Sequence, residues 1–146
     1  MEQRDLGTYV GFWPRVWASV IDSAMLLVVI VPAVLAIYGW EYLKTEKLFA
    51  GSADFVLQVV FPAIVVLAFW IYRNATPGKM VIHAKIVDAR TGAAPSNGQL
   101  IGRYLGYYVS IFSLGLGFLW IVFDARKQGF HDKLAGTVVV RDEAAR

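Results

Sequence analysis

Cysteine is absent from this chain, and histidine occurs only at His83 and His131. The first absence excludes disulfides, thiolate metal sites, iron–sulfur clusters and a cysteine nucleophile. The second leaves too few imidazoles for a histidine-based zinc or haem site, so no cofactor is expected. Charge is also scarce: 17% of residues are charged and 58% are hydrophobic, with a mean hydropathy of +0.54. That balance is far from an average soluble domain. A net charge of +3 is small for a nucleic-acid binder, and the basic residues flank apolar runs instead of forming one patch. Contact with a lipid bilayer suits that placement better. No nucleophile–base set stands out, so an enzyme is not expected.

The apolar residues are gathered into long runs. Val16–Tyr38 and Phe55–Tyr72 are each long enough to cross a hydrocarbon core of about 30 Å. Pro14 suits the first turn of a helix, whereas Pro32 and Pro62 fall inside the runs and predict local breaks. Trp13 and Trp17 mark one interface; Tyr38, Trp40 and Tyr42 mark the other. The N-terminus lacks the marks of a cleaved leader. Arg4 is offset by Glu2 and Asp5, and the first run is longer than a signal core, so an uncleaved first span is expected.

Between Asn74 and Asn97 the pattern changes. Thr76-Pro77-Gly78-Lys79 reads as a tight turn. In Met80–Asp88, Ile82, Ala84 and Ile86 alternate with His83, Lys85 and Val87, a strand signal. Thr137–Val140 is β-branched and predicts a second short strand. The third apolar region, Leu100–Phe123, is interrupted by Ser113-Leu114-Gly115-Leu116-Gly117. Gly98, Gly102, Gly106 and Ser110 recur every four residues and predict a face for close helix packing.

Lys and Arg arbitrate the topology. If the third region spans once, the two sides carry seven basic residues each; if it turns back, they carry twelve and two. The charge rule prefers the second arrangement, which also puts both strands on one side, where they can pair. The expected fold is an all-α membrane protein with two full transmembrane helices and a broken third apolar region, a helical hairpin or a third span. A small cytoplasmic β element completes a single domain, 1–146.

The first run carries a carboxylate, Asp22. An ionised carboxylate at mid-bilayer costs about 2.5–3.5 kcal/mol or more, so it needs a partner, water or a purpose. On a helix Arg15, Ser19, Asp22 and Ser23 share one face. Arg15 and Asp22 lie about 10 Å apart along the axis, too far for a direct bond. Two readings stay open: a packing device bonded to serines or to Arg103, and a site that binds or moves an ion or proton. His131-Asp132 is a weaker acid–base candidate, because neighbours on an extended segment point to opposite faces.

Gly11-Phe12-Trp13-Pro14-Arg15, followed by Val20-Ile21-Asp22, resembles the opening of the RDD family of small membrane proteins. The resemblance continues through Thr76-Pro77-Gly78-Lys79, Ile86-Val87-Asp88, Arg103, Gly115-Leu116-Gly117 and the run His131–Val140. His83 stands where the resemblance would put a glycine. The family takes its name from one arginine and two aspartates, which implies Arg15, Asp22 and Asp132 here. It also implies a multi-pass protein of the bacterial inner membrane with a suggested role in transport. The expected function is exchange or transport of an ion or small ligand through a site of Arg15, Ser19, Asp22, Ser23, Arg103 and Asp132. The alternative is a non-catalytic accessory or assembly subunit. Either expectation implies a homo-oligomer or a larger membrane complex, with both termini cytoplasmic.

Overall fold

The computed structural model describes residues 6–145. The leader reading of Glu2, Arg4 and Asp5, and the contribution of Arg146 to the charge count, lie outside the described residues. The first span is α1, Phe12–Tyr38; it continues through Pro32 and stops at Gly39, whose φ of 72° suits glycine. Pro14 falls in the first turn, where its missing N–H has no intrahelical acceptor to lose.

The second span, Ser52–Arg73, consists of α2 (Ser52–Phe55), a π-helical turn (Val56–Val60) and α3 (Phe61–Arg73). The wide turn sits immediately ahead of Pro62. The Phe61 N–H reaches back five residues to the Val56 carbonyl, so the register shifts where proline deletes a donor. Asp54 secures the loop before this span, accepting from Ala50 N–H (2.8 Å), Tyr42 O–H (2.9 Å) and Gln58 Nε2 (2.5 Å). Asn74, at φ 54°, ends α3.

Thr76–Lys79 does not form the expected isolated turn. Pro77–Val81 is a short helix, α4, with Pro77 at its first position and Thr76 preceding it. The first strand therefore begins later than expected: β1 is Ala84–Asp88. It pairs antiparallel with β2, Thr137–Arg141, with Ile86 opposite Val139. Tyr9 bridges to Val140, and Val10 N–H donates to Val139 O (2.9 Å), so the segment before α1 extends this layer.

Burial concentrates here. Val10, Trp70, Ala84, Ile86, Leu100 and Val139 form the main core. Almost none of either span is buried within the chain, and their apolar side chains face outward.

The third apolar region is α5 (Asn97–Phe112) and α6 (Leu116–Phe123), bent by 100° at a break containing Leu114 (φ 58°) and Gly115 (φ 79°). A capping box between Ser96 and Gln99 starts α5. After α6 the chain enters α7, Phe130–Ala135, and returns through β2 to the sheet it left at β1. The region therefore begins and ends at one layer.

The small-residue stripe on α5 is only half used. A Cβ at Gly106 would stand 2.8 Å from His131 Cα, and one at Gly117 would stand 2.4 Å from Ser110 Oγ. At Gly102 a Cβ would meet nothing within 4 Å, so that part of the stripe does not pack inside the chain.

Candidate functional site

The turn that opens α1 carries Arg15 into the layer below the spans. Its Nη1 donates to Asp132 Oδ2 (2.6 Å), its Nη2 to Lys127 O (2.7 Å) and its Nε to Val10 O (3.1 Å). Arg103, on α5, donates to the other oxygen of Asp132 and to Thr137 Oγ1 (3.1 Å). Its guanidinium lies 5.1 Å from the Trp70 ring centroid, and its second terminal nitrogen meets Tyr107 Oη at 3.3 Å. Gly129 N–H completes the coordination of Asp132 (3.0 Å).

One buried carboxylate therefore serves two buried guanidinium groups, and it ties α1, α5 and α7 together. Removing one partner of a buried pair strands a charge and typically costs about 3–5 kcal/mol.

A third cation lies beside these two. Lys79 is buried, and among the described residues its ammonium makes no hydrogen bond or ion pair. Burial holds its pKa below the usual lysine value, with the positive charges of Arg103 and Arg15 pushing the same way and Tyr107 and Asp22 opposing them. His131 is affected similarly. Burial, then Arg103, Arg15 and Lys79, press its pKa far down, so the imidazole is neutral.

Asp22 belongs to a different neighbourhood. Its Oδ2 accepts from the Thr76 hydroxyl (2.5 Å) and its Oδ1 from Gly78 N–H (2.7 Å). Gly78 is required there, since a Cβ would stand 2.0 Å from Ala18 O on α1. The carboxylate thus takes two donors from the Thr76–Lys79 segment. Asp22 also lines a groove of about 150 Å³ between the two spans, whose other walls include Met25, Leu26, Val29, Phe61, Val65 and Phe69.

Of the six site residues expected from sequence, Arg15, Arg103 and Asp132 meet directly. Asp22, further along α1, stands apart against Thr76 and the start of α4, and Ser19 and Ser23 are exposed. Arg103 is the partner of Asp132, not of Asp22. Thr76 and Gly78, the actual partners of Asp22, carried a signal only in the turn motif. Lys79 carried a signal only as the end of the turn motif and as one of the basic residues expected to face lipid headgroups, whereas it is buried, and Tyr107 carried none.

His131 and Asp132 lie on a helix, not an extended segment, and both face inward. His131 Nε2 stands 3.5 Å from Asp132 Oδ2, and its Nδ1 stands 3.2 Å from Ser110 Oγ. The order serine, histidine, aspartate is that of a hydrolase triad, but the surroundings differ. Ser110 is fully buried beneath Gly117, the imidazole is packed between Tyr107 and Phe118, and Asp132 is already neutralised twice. A substrate carbonyl has no room to approach the hydroxyl. Among the described residues, no group of three histidine, aspartate or glutamate side chains is placed to hold a metal ion.

The RDD family model matches residues 9–136. The uncharacterized protein RP437 of Rickettsia prowazekii is 34% identical over 106 residues, covering 70% of this chain and 59% of that protein. The chain thus spans less than two thirds of that relative's length. The uncharacterized membrane protein YteJ of Bacillus subtilis is 29% identical over 151 residues, with 94% of this chain and 84% of that one covered. The uncharacterized protein YxaI of the same organism is 27% identical, covering 89% and 95%. No solved structure matches. With two helices long and apolar enough to cross a membrane, and with the family model matching nearly its whole length, the chain belongs to the RDD family of membrane proteins.

Proposed function

We propose that this protein exchanges a proton or a small cation at Asp22. The observation that supports the reading is a contrast between two carboxylates. Asp132 is bound by two guanidinium groups, whereas among the described residues Asp22 is held by a hydroxyl and a backbone N–H alone and opens onto the groove between the spans. An intramembrane carboxylate that no guanidinium or ammonium hydrogen-bonds is a functional-site candidate, and here the Lys79 charge acts on it without a bond. The Arg15–Asp132–Arg103 set then serves as the lock that holds α1 against the layer from which α4 approaches. In this reading the role is not enzymatic.

The charge count supports an orientation in the bacterial inner membrane with both termini and the sheet cytoplasmic. Impermeant labelling of single cysteines at Ser52, Ser96 and Ala144 in intact cells tests it. Labelling at Ser52 alone agrees with this orientation; labelling at Ser96 and Ala144 refutes it.

A second reading, a non-catalytic accessory subunit, draws on the outward-facing surface of both spans. Two spans that bury so little against each other favour association in either case. Vesicles reconstituted with an imposed pH or sodium gradient separate the readings. Wild-type vesicles that dissipate the gradient, with a folded but inactive Asp22→Asn variant, support exchange. Activity retained in that variant refutes exchange at Asp22. Silent wild-type vesicles, with a stable hetero-partner in intact-complex mass measurement, favour the accessory role.

A further inference from the structure

Where the second span leaves the membrane, a polar pocket of about 240 Å³ opens between the end of α3 and the edge of β1. Arg73, His83 and Lys85 line it, together with Asp142. Lys85 pairs with Asp142 at 3.1 Å, which uses one of its three donors and fixes its direction. Arg73 is exposed and makes no hydrogen bond or ion pair among the described residues. Arg73 and Lys85 against Asp142 leave a positive excess in the pocket.

A second cleft, about 210 Å³ and largely apolar, is lined by Ala68, Phe69, Tyr72 and the same Arg73. Its other walls are on α3, and Arg73 lines both it and the polar pocket. Tyr72 is 83% exposed beside it, the usual place of an interfacial aromatic.

His83 adds a second feature. Its backbone sits at φ 52°, a left-handed conformation uncommon for a residue with a Cβ. His83 N–H donates to Met80 O (3.0 Å) and its carbonyl accepts from Asp142 N–H (2.7 Å), so the turn is pinned on both sides. A strained backbone, pinned on both sides and presenting an exposed histidine at the pocket wall, is a reason to look for a ligand.

We propose that this composite site binds one anionic phospholipid, its headgroup phosphate between Arg73, His83 and Lys85 and an acyl chain in the Ala68–Tyr72 cleft. The chemistry matches in both parts. A guanidinium and an ammonium suit phosphate oxygens, and an apolar cleft open to the bilayer suits a lipid tail. The position at the end of a span puts the phosphate at headgroup depth.

The test is native mass measurement of the full chain in detergent after delipidation, titrated with phosphatidylglycerol or with phosphatidylcholine of the same acyl chains. The expected result is one phosphatidylglycerol retained per chain in preference to phosphatidylcholine. The Arg73→Gln/Lys85→Gln variant should bind it roughly tenfold more weakly or worse. Ala68→Trp, which fills the cleft without altering charge, should also weaken retention, and Lys47→Gln in the distant loop should not. Equal retention of the two lipids, or an unchanged preference in both site variants, would overturn the proposal. Binding of glycerol 3-phosphate as tight as that of the lipid would overturn it too, because the ligand would then be a soluble phosphate.

Discussion

Arg15 and Asp132 are 117 positions apart in the chain and 2.6 Å apart in space. The contact joins the entry of the first span to a short helix that follows the last apolar segment. Arg103 closes on the same carboxylate from α5, so one anion sets the relative position of three elements. Both guanidinium groups lose their counter-charge if that anion is removed.

Asp132→Asn should therefore destabilise the fold by about 3–5 kcal/mol, because two buried cations would share a neutral amide. Thermal unfolding in detergent reads this directly. An unchanged midpoint would mean that the network is not what holds α1, α5 and α7 together.

The glycines of α5 should differ sharply. Gly106→Leu drives a side chain into the α7 backbone and should cost upwards of about 1–3 kcal/mol, with loss of the folded species. Gly102→Leu enters open space and should leave the folded chain as stable as before. If Gly102→Leu changes the oligomer size without changing chain stability, that face belongs to an interface between chains.

His83→Gly should stabilise the protein by about 0.5–1 kcal/mol. The left-handed conformation penalises a Cβ by about 1–2 kcal/mol, and the greater unfolded-state freedom of glycine offsets part of that gain. A lower midpoint would show that the imidazole itself makes a stabilising contact.

Acid should weaken the fold through His131. Its pKa is pressed below the ordinary 6.5 by burial, with Arg103, Arg15 and Lys79 adding to it. The unfolded chain therefore takes up a proton below about pH 6.5 that the native chain refuses. With more protons bound in the unfolded state, stability falls as the pH drops, by up to about 1.4 kcal/mol per unit. Unfolding midpoints between pH 8 and pH 5 should show this loss, and His131→Gln should flatten the slope over that range. A slope identical in the two proteins would place the titrating group elsewhere.

Local sequence carries the two spans, their aromatic ends, the break at Ser113–Gly117 and the existence of two short strands. Each is written in neighbouring residues: hydropathy over about 20 positions, a period of two, or a glycine next to a break. The Lys and Arg count also favoured a third region that turns back, because charge near the spans is a local quantity. The family resemblance drew attention to Arg15, Asp22 and Asp132, yet spacing along one helix put Arg15 with Asp22. Only the tertiary structure separated them, sending Arg15 to Asp132 and Asp22 to Thr76 and Gly78. It likewise decided that Gly106, and not Gly102, is where a backbone must come close. These pairings join residues 25 to 117 positions apart, where a group's partner depends on how elements pack and not on the intervening residues. A buried charge declares in the sequence that it needs a partner; which partner it meets is settled only when the chain closes on itself.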